Sequence, residues 1–210
     1  MNIQVEKEGK ITRHVLPEEW EEITIKQYMG IMKTLKQVGL RELEKVVKVI
    51  TILTGIKEED IYRTEISALM KLGAGLGQFI GQPPSEELKH IIEIDGVEYG
   101  FHPKLVDLTF GEWVDIDTYL GNGVDDNLHK VMSVLYRPII AKQGEKYQIE
   151  EYKPDKDRQE LFLNKMTVGD FYGVSVFFSD LGNELLLHTA KSSMKELRKQ
   201  MKESTRAIIE

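Results

Sequence analysis

The chain has 210 residues, 41% hydrophobic and 30% charged, with a net charge of −7 and no cysteine. That is enough apolar material for one domain or two small ones, while the missing thiol excludes disulfides, thiolate catalysis and cysteine-based zinc sites. No run approaches the ~18–20 apolar residues of a membrane-spanning helix, and the net acidity argues against nucleic acid as the partner of the whole surface.

Residues 1–16 predict a hairpin at the edge of a small sheet: Ile3-Gln4-Val5, a turn at Glu8-Gly9-Lys10, then Ile11-Thr12-Arg13. Its first residues lack the basic and apolar regions of a signal peptide, so synthesis in the cytoplasm is expected. The phrase Ile23-Thr24-Ile25-Lys26-Gln27-Tyr28 is a helix start. In such a box the Thr hydroxyl accepts from the N–H three residues on, and the Gln or Glu side chain reaches back to the Thr N–H. An apolar residue before the Thr can also clamp the aromatic after the box. Helices are predicted over 24–37 and 41–54, the second stopped at Thr54-Gly55. Residues 58–81 read as one or two helices, because Ile66, Leu69, Met70, Leu72, Leu76, Phe79 and Ile80 fall at helical spacing. The glycines of 71–81 resemble a phosphate loop, but no Lys-Ser/Thr follows the last of them. Gly73 and Gly77, one turn apart, are read as allowing close helix packing or a bend.

Gly81-Gln82-Pro83-Pro84-Ser85 is the clearest loop, and a hairpin is predicted over about 90–101. Asp95-Gly96 suits a two-residue type I′ turn. The register then sets Ile94 opposite Val97, Ile92 opposite Tyr99 and Glu93 opposite Glu98. A second box, Leu108-Thr109-Phe110-Gly111-Glu112-Trp113, opens helices predicted at 109–120 and 126–136, with Pro138 as the stop. A third hairpin is expected over 139–149. Helices follow at about 156–164 and 168–180, the latter behind a third box, Met166-Thr167-Val168-Gly169-Asp170-Phe171. A long C-terminal helix is expected from about 183. Tyr28, Trp113 and Phe171 are expected to be buried as the clamped aromatics.

The first two boxes lie 85 residues apart, and residues 24–52 align on 109–137 without a gap and with seven identities. These are Thr24/Thr109, Ile31/Ile116, Leu35/Leu120, Leu43/Leu128, Lys45/Lys130, Val46/Val131 and Val49/Val134. Each segment reads as a capped helix, a polar break and a second apolar helix, preceded by a hairpin. We read an internal duplication of that unit. The third box is read as a separate helix start. The expected fold is α+β, mainly helical, with two similar hairpin-plus-helix-pair units, a third hairpin and the C-terminal helix. Its expected divisions are 1–82, 86–186 and 187–210.

No reaction is named by these residues. His14, His90, His102, His129 and His188 include no pair at the i, i+4 spacing of a helical zinc site. Asp115-Ile116-Asp117 lacks the glycine position and closing Glu of a calcium loop and reads as an acidic helix face. Ser175, Ser179, Ser192 and Ser193 lie in no nucleophile-elbow context. No catalytic residue, metal or cofactor is expected.

The C-terminal helix is the most informative surface. Leu187, Ala190, Met194, Leu197, Met201, Ser204 and Ile208 alternate in steps of three and four, a heptad seam broken by Ser204. Beside it lie Lys191, Lys195, Arg198, Lys199, Lys202 and Arg206. The segment carries +3, leaving −10 for the rest of the chain. Partner binding is therefore assigned to Leu187, Met194, Leu197, Arg198, Lys199, Met201, Lys202 and Ile208. Docking on the chain's own body is the first reading, on a neighbouring subunit the second, and on nucleic acid the third.

The phrases Leu16-Pro17-Glu18-Glu19-Trp20-Glu21-Glu22-Ile23-Thr24, Leu108-Thr109-Phe110-Gly111-Glu112-Trp113, Leu135-Tyr136-Arg137-Pro138-Ile139 and Phe177-Phe178-Ser179-Asp180-Leu181-Gly182 resemble those of small proteins from the structural gene clusters of tailed bacteriophages. The resemblance implies a virion component or a head or tail assembly factor. Such a protein is made in the host cytoplasm, is incorporated in the virion, and works on other virion or assembly proteins, itself included. A cytoplasmic adaptor and an enzyme with an unrecognised site are the alternative classes.

Overall fold

The computed structural model describes residues 2–7 and 10–177. The C-terminal helix, with Leu187, Met194, Leu197, Arg198, Lys199, Met201, Lys202 and Ile208, lies outside the described residues.

Strands β1 (Asn2–Lys7) and β2 (Lys10–Val15) form a separate two-stranded antiparallel sheet. Helix α1 (Ile25–Lys36) starts where its box predicts: Thr24 Oγ1 accepts from the Gln27 N–H, and Gln27 Oε1 accepts from the Thr24 N–H at 3.0 Å. Helix α2 (Glu42–Thr54) ends on Gly55 at φ 73°. The predicted stretch at 58–81 splits into a single turn, α3 (Glu58–Ile61), and α4 (Ile66–Ile80). Of Gly73 and Gly77 only Gly73 meets a neighbour, since a Cβ there would come 3.0 Å from Val46 Cγ2 of α2. A Cβ on Gly77 would meet nothing within 4 Å, so the close-packing reading fails for that residue.

The second hairpin is β3 (Ile91–Ile94) and β4 (Val97–Phe101), in the predicted register with Ile94 opposite Val97 and Ile92 opposite Tyr99. Asp95 and Gly96 both take positive φ, 51° and 79°, as a type I′ turn requires. Helices α5 (Phe110–Gly121) and α6 (Val124–Leu135) follow, and the chain passes without a loop into β5 (Tyr136–Gln143), then β6 (Lys146–Ile149). The order β3-β4-β5-β6 makes one antiparallel four-stranded sheet, in which α5 and α6 are an insertion between β4 and β5. Pro138 does not end the helix as expected. It lies inside β5 opposite Tyr99, where the helix has already stopped at Leu135. Helix α7 (Lys156–Lys165) is capped by Asp155, and α8 spans 168–177 of the described residues. The architecture is α+β and mainly helical.

Two of the three boxes meet. Ile25 N–H donates to the Met166 carbonyl at 2.9 Å and Val168 N–H donates to the Ile23 carbonyl at 2.8 Å. These bonds form an antiparallel bridge between Thr24 and Thr167, so α1 and α8 start back to back. Ile23, Ile25, Met166 and Val168 around the bridge are all fully buried. Backbone groups that a helix start leaves without partners are thus satisfied across the chain as well as by side chains. Gly173 permits a second close approach, because a Cβ there would come 2.2 Å from the Glu87 carbonyl oxygen. Trp20 lies over Phe79 with ring centroids 4.8 Å apart, and its indole N–H donates to the Gln82 carbonyl at 2.9 Å. The two helix pairs share one core, with α1 packed on α6 and α7 as well as α2.

Several positions aligned by the 85-residue offset face the core alike. Ile31 and Ile116, Val47 and Met132, Val49 and Val134, and Ile50 and Leu135 are all buried. In both units the box residue also reaches the end of the following helix. Gln27 Nε2 donates to the Leu53 carbonyl at the end of α2, and Glu112 reaches Arg137 just past the end of α6. This parallel supports duplication beyond the shared cap. Thr24→Ala and Thr109→Ala should each cost about 0.5–2 kcal/mol, measurable by chemical denaturation. The Thr109 change should be the larger, since its hydroxyl donates to the buried, charged Glu112 at 2.7 Å, whereas that of Thr24 donates to the neutral, half-buried Gln27 at 3.2 Å.

Candidate interaction surface

Glu112 stands in a cap that ordinarily faces water, yet it is 1% exposed. Its Oε2 accepts from the Thr109 N–H at 2.6 Å. Its Oε1 lies 2.7 Å from Arg137 Nη2 of β5, a buried ion pair, while Arg137 Nε has no hydrogen-bond partner. His102 Nε2, just past β4, is 3.6 Å from the same oxygen. The Lys104 N–H donates to His102 Nδ1, which assigns the imidazole proton to Nε2, on the side of Glu112. Burial pulls His102 below its ordinary value, and Arg137 adds to that, with Glu112 opposing both. For Glu112 burial pushes up, but Thr109, Arg137 and His102 together more than offset it, so the carboxyl stays below the usual range. Burial likewise pulls Arg137 down against the pull of Glu112.

Three further contacts hold the same face of α5. Tyr152 lays its ring 5.8 Å from the Arg137 guanidinium, and its hydroxyl donates to Asp115. Burial, reinforced by Asp115, raises that hydroxyl well above the ordinary tyrosine value. Ile116 is buried. Gln159 of α7 donates to the Tyr119 hydroxyl at 3.3 Å. Below this, Arg158 of α7 is buried and pairs with Glu150. Glu112, Asp115, Ile116 and Tyr119 are spaced i, i+3, i+4, i+7, one stripe of a helix. Every member of the stripe is tied to the sheet, to α7 or to the core.

The opposite stripe must then face outward. It carries Phe110 at 82% exposure, Trp113 at 58%, Val114 and Leu120 at 40% each, with exposed Asp117 among them. The expectation that Trp113 is buried is therefore wrong. Tyr28 and Phe171 do pack inward: Phe171 is buried, and the half-buried Tyr28 meets Trp20 and Phe171 edge to face at 6.2 and 5.3 Å. The difference is in the box. Gln27 is neutral and needs no counter-ion, whereas the charge of Glu112 has to be paired when buried. Arg137 turns that position inward, and Trp113, the next residue round the helix, turns out. Ile25 and Phe110, equivalent by the offset, diverge for the same reason: Ile25 is fully buried and Phe110 is open.

Large apolar side chains at i, i+3, i+4 on a rigid helix make a surface suited to another apolar stripe. The surroundings are acidic, since residues 105–129 include six Asp or Glu and no Lys or Arg. Sequence reasoning missed this surface by treating the three boxes as alike. The signal was the exchange of Gln27 for Glu112 together with Ile52 for Arg137. Among the described residues no cluster of His, Asp and Glu is placed to hold a metal ion, and no helix is long and apolar enough to cross a membrane. Comparison with protein-family models, curated proteins and solved structures finds no match to this chain.

Proposed function

We propose that this protein is a non-enzymatic component of a tailed bacteriophage, either a virion subunit or a head or tail assembly factor, working through protein–protein contacts. The outer stripe of α5 carries the contact part of the reading: Phe110, Trp113, Val114 and Leu120 are presented together on a helix anchored along its other side. A monomer with no partner gains nothing from such a patch and is exposed to aggregation by it. The phage setting rests on the resemblance of the phrases around Trp20, Thr109, Arg137 and Phe177.

Mass spectrometry of purified virions tests the setting. Presence in particles supports a structural subunit. Absence from particles combined with failed assembly in a deletion strain supports an assembly factor. Absence with normal assembly removes the proposal. The contact face is tested by Phe110→Ser combined with Val114→Ser. Both side chains lie outside the core of the described residues, so the body should stay folded while particle yield falls. Unchanged yield would show that α5 is not the surface used.

A further inference from the structure

We infer that in the unassembled chain the outer stripe of α5 is covered by the chain's own C-terminal segment, residues 187–208. The inference rests on the reading of α5 as a protein-contact face and names its occupant. Complementarity of pattern comes first. The socket shows apolar groups at i, i+3, i+4 on one helix, and the segment places Leu187, Ala190, Met194, Leu197 and Met201 in steps of three and four. Charge agrees with this. The socket lies in a stretch of six acidic residues without a Lys or Arg, whereas residues 187–208 carry +4.

Reach is the third argument. The described chain leaves from α8 at Phe177, whose ring lies 6.2 Å from that of Phe101. The residue after Phe101 is His102, which lies 3.6 Å from Glu112, the neighbour of Trp113. Residues 178–187 can span up to about 33 Å, enough for this short series of contacts and for the further ~10–12 Å round the helix from Glu112 to the outer stripe. A tethered segment within reach binds at an effective concentration that a separate chain matches only near the millimolar range. A partner in the particle would then have to displace the segment. The socket stays covered until assembly, which protects a solvent-exposed aromatic face from non-specific association.

Trp113 reports on this directly. Its quenching by acrylamide is measured in the full chain as the difference between the parent and Trp113→Phe, which subtracts buried Trp20. The expected result is a shielded Trp113 whose quenching does not change with chain concentration. Leu197→Asp, and separately Met194→Asp, should raise its quenching several-fold, while Ser192→Asp on the far side of the seam should leave it unchanged. High salt should shift it only slightly, because the apolar seam dominates. Free quenching of Trp113 in the parent overturns the inference, as does indifference to both seam variants. Shielding that grows with chain concentration also overturns it and identifies the occupant as a second copy. In each of these cases the Phe110→Ser, Val114→Ser yield experiment still decides whether α5 is a contact face.

Discussion

Glu112→Ala is expected to lower the unfolding free energy by about 3–5 kcal/mol, the usual cost of breaking a buried ion pair by removing one partner. The loss has two parts. Arg137, 4% exposed and with its Nε already unpaired, would be left as a buried cation against the His102 and Tyr152 rings, with only the more distant influence of Glu150, itself paired with Arg158, to offset it. The capping box of α5 would also lose its reciprocal bond to Thr109. Glu112→Gln separates these parts, since a Gln fills the same position at Thr24 and caps α1 well. It should cost less than Ala, and Glu112→Gln combined with Arg137→Met should recover part of the remainder. A double-mutant cycle by denaturant unfolding measures the coupling. A cycle with no coupling would mean that the pair is incidental.

The pH dependence follows from the same carboxylate. The folded protein holds Glu112 below its unfolded value. Its stabilising contribution is therefore fully present above the ordinary carboxylate value near ~4.3 and is lost as pH falls through the lower folded value. Buried His102 and His129 are also held below their ordinary value, both chiefly by burial. They act in the same direction but at higher pH, from about 6.5 downward. Stability should fall in two stages on acidification, and Glu112→Gln should shrink the lower stage while deepening the upper one, because the Glu112 charge opposes the lowering of His102.

Phe171→Ala is expected to cost about 3–5 kcal/mol, in the range for truncating a buried aromatic. Phe171 is 1% exposed and stands edge to face with Tyr28 at 5.3 Å. It already borders a cavity of about 190 Å³, with Tyr28, Met29 and Met32 of α1, Leu128 of α6, and Tyr172 and Ser175 of α8. Truncation enlarges an existing void that three helices would have to close together, and α1 and α8 are pinned at their starts by the Thr24–Thr167 bridge. Little relaxation is available, which puts the cost at the upper end. Because the residue joins both helix pairs, the variant should still unfold in one transition at a lower midpoint. Two separated transitions would show that the pairs are independent folding units.

The local structure of this protein is written in short phrases. Thr24, Thr109 and Thr167 start helices because each Thr N–H finds an acceptor side chain three residues later, a local device that the bridge between Thr24 and Thr167 then reinforces across the chain. Asp95-Gly96 makes its turn because both residues tolerate positive φ, and the alternation around it sets the register. Apolar spacing likewise places Ile31, Ile116, Val49 and Val134 inward. Tertiary structure decided the rest. Pro138 reads as a helix stop by itself, but pairing with β4 makes it part of a strand. Three boxes with one pattern lead to different outcomes: Tyr28 and Phe171 are covered by helices and aromatics that arrive from elsewhere in the chain, whereas among the described residues nothing comparable covers Trp113, which is 58% exposed. Which side of a capped helix turns inward depends on what is available to bury. A neutral Gln can sit at the border of a core, while a buried Glu has to find a cation. Arg137, 25 residues away on a strand, is what rolls α5 and opens its aromatic face, and a local pattern cannot carry that information.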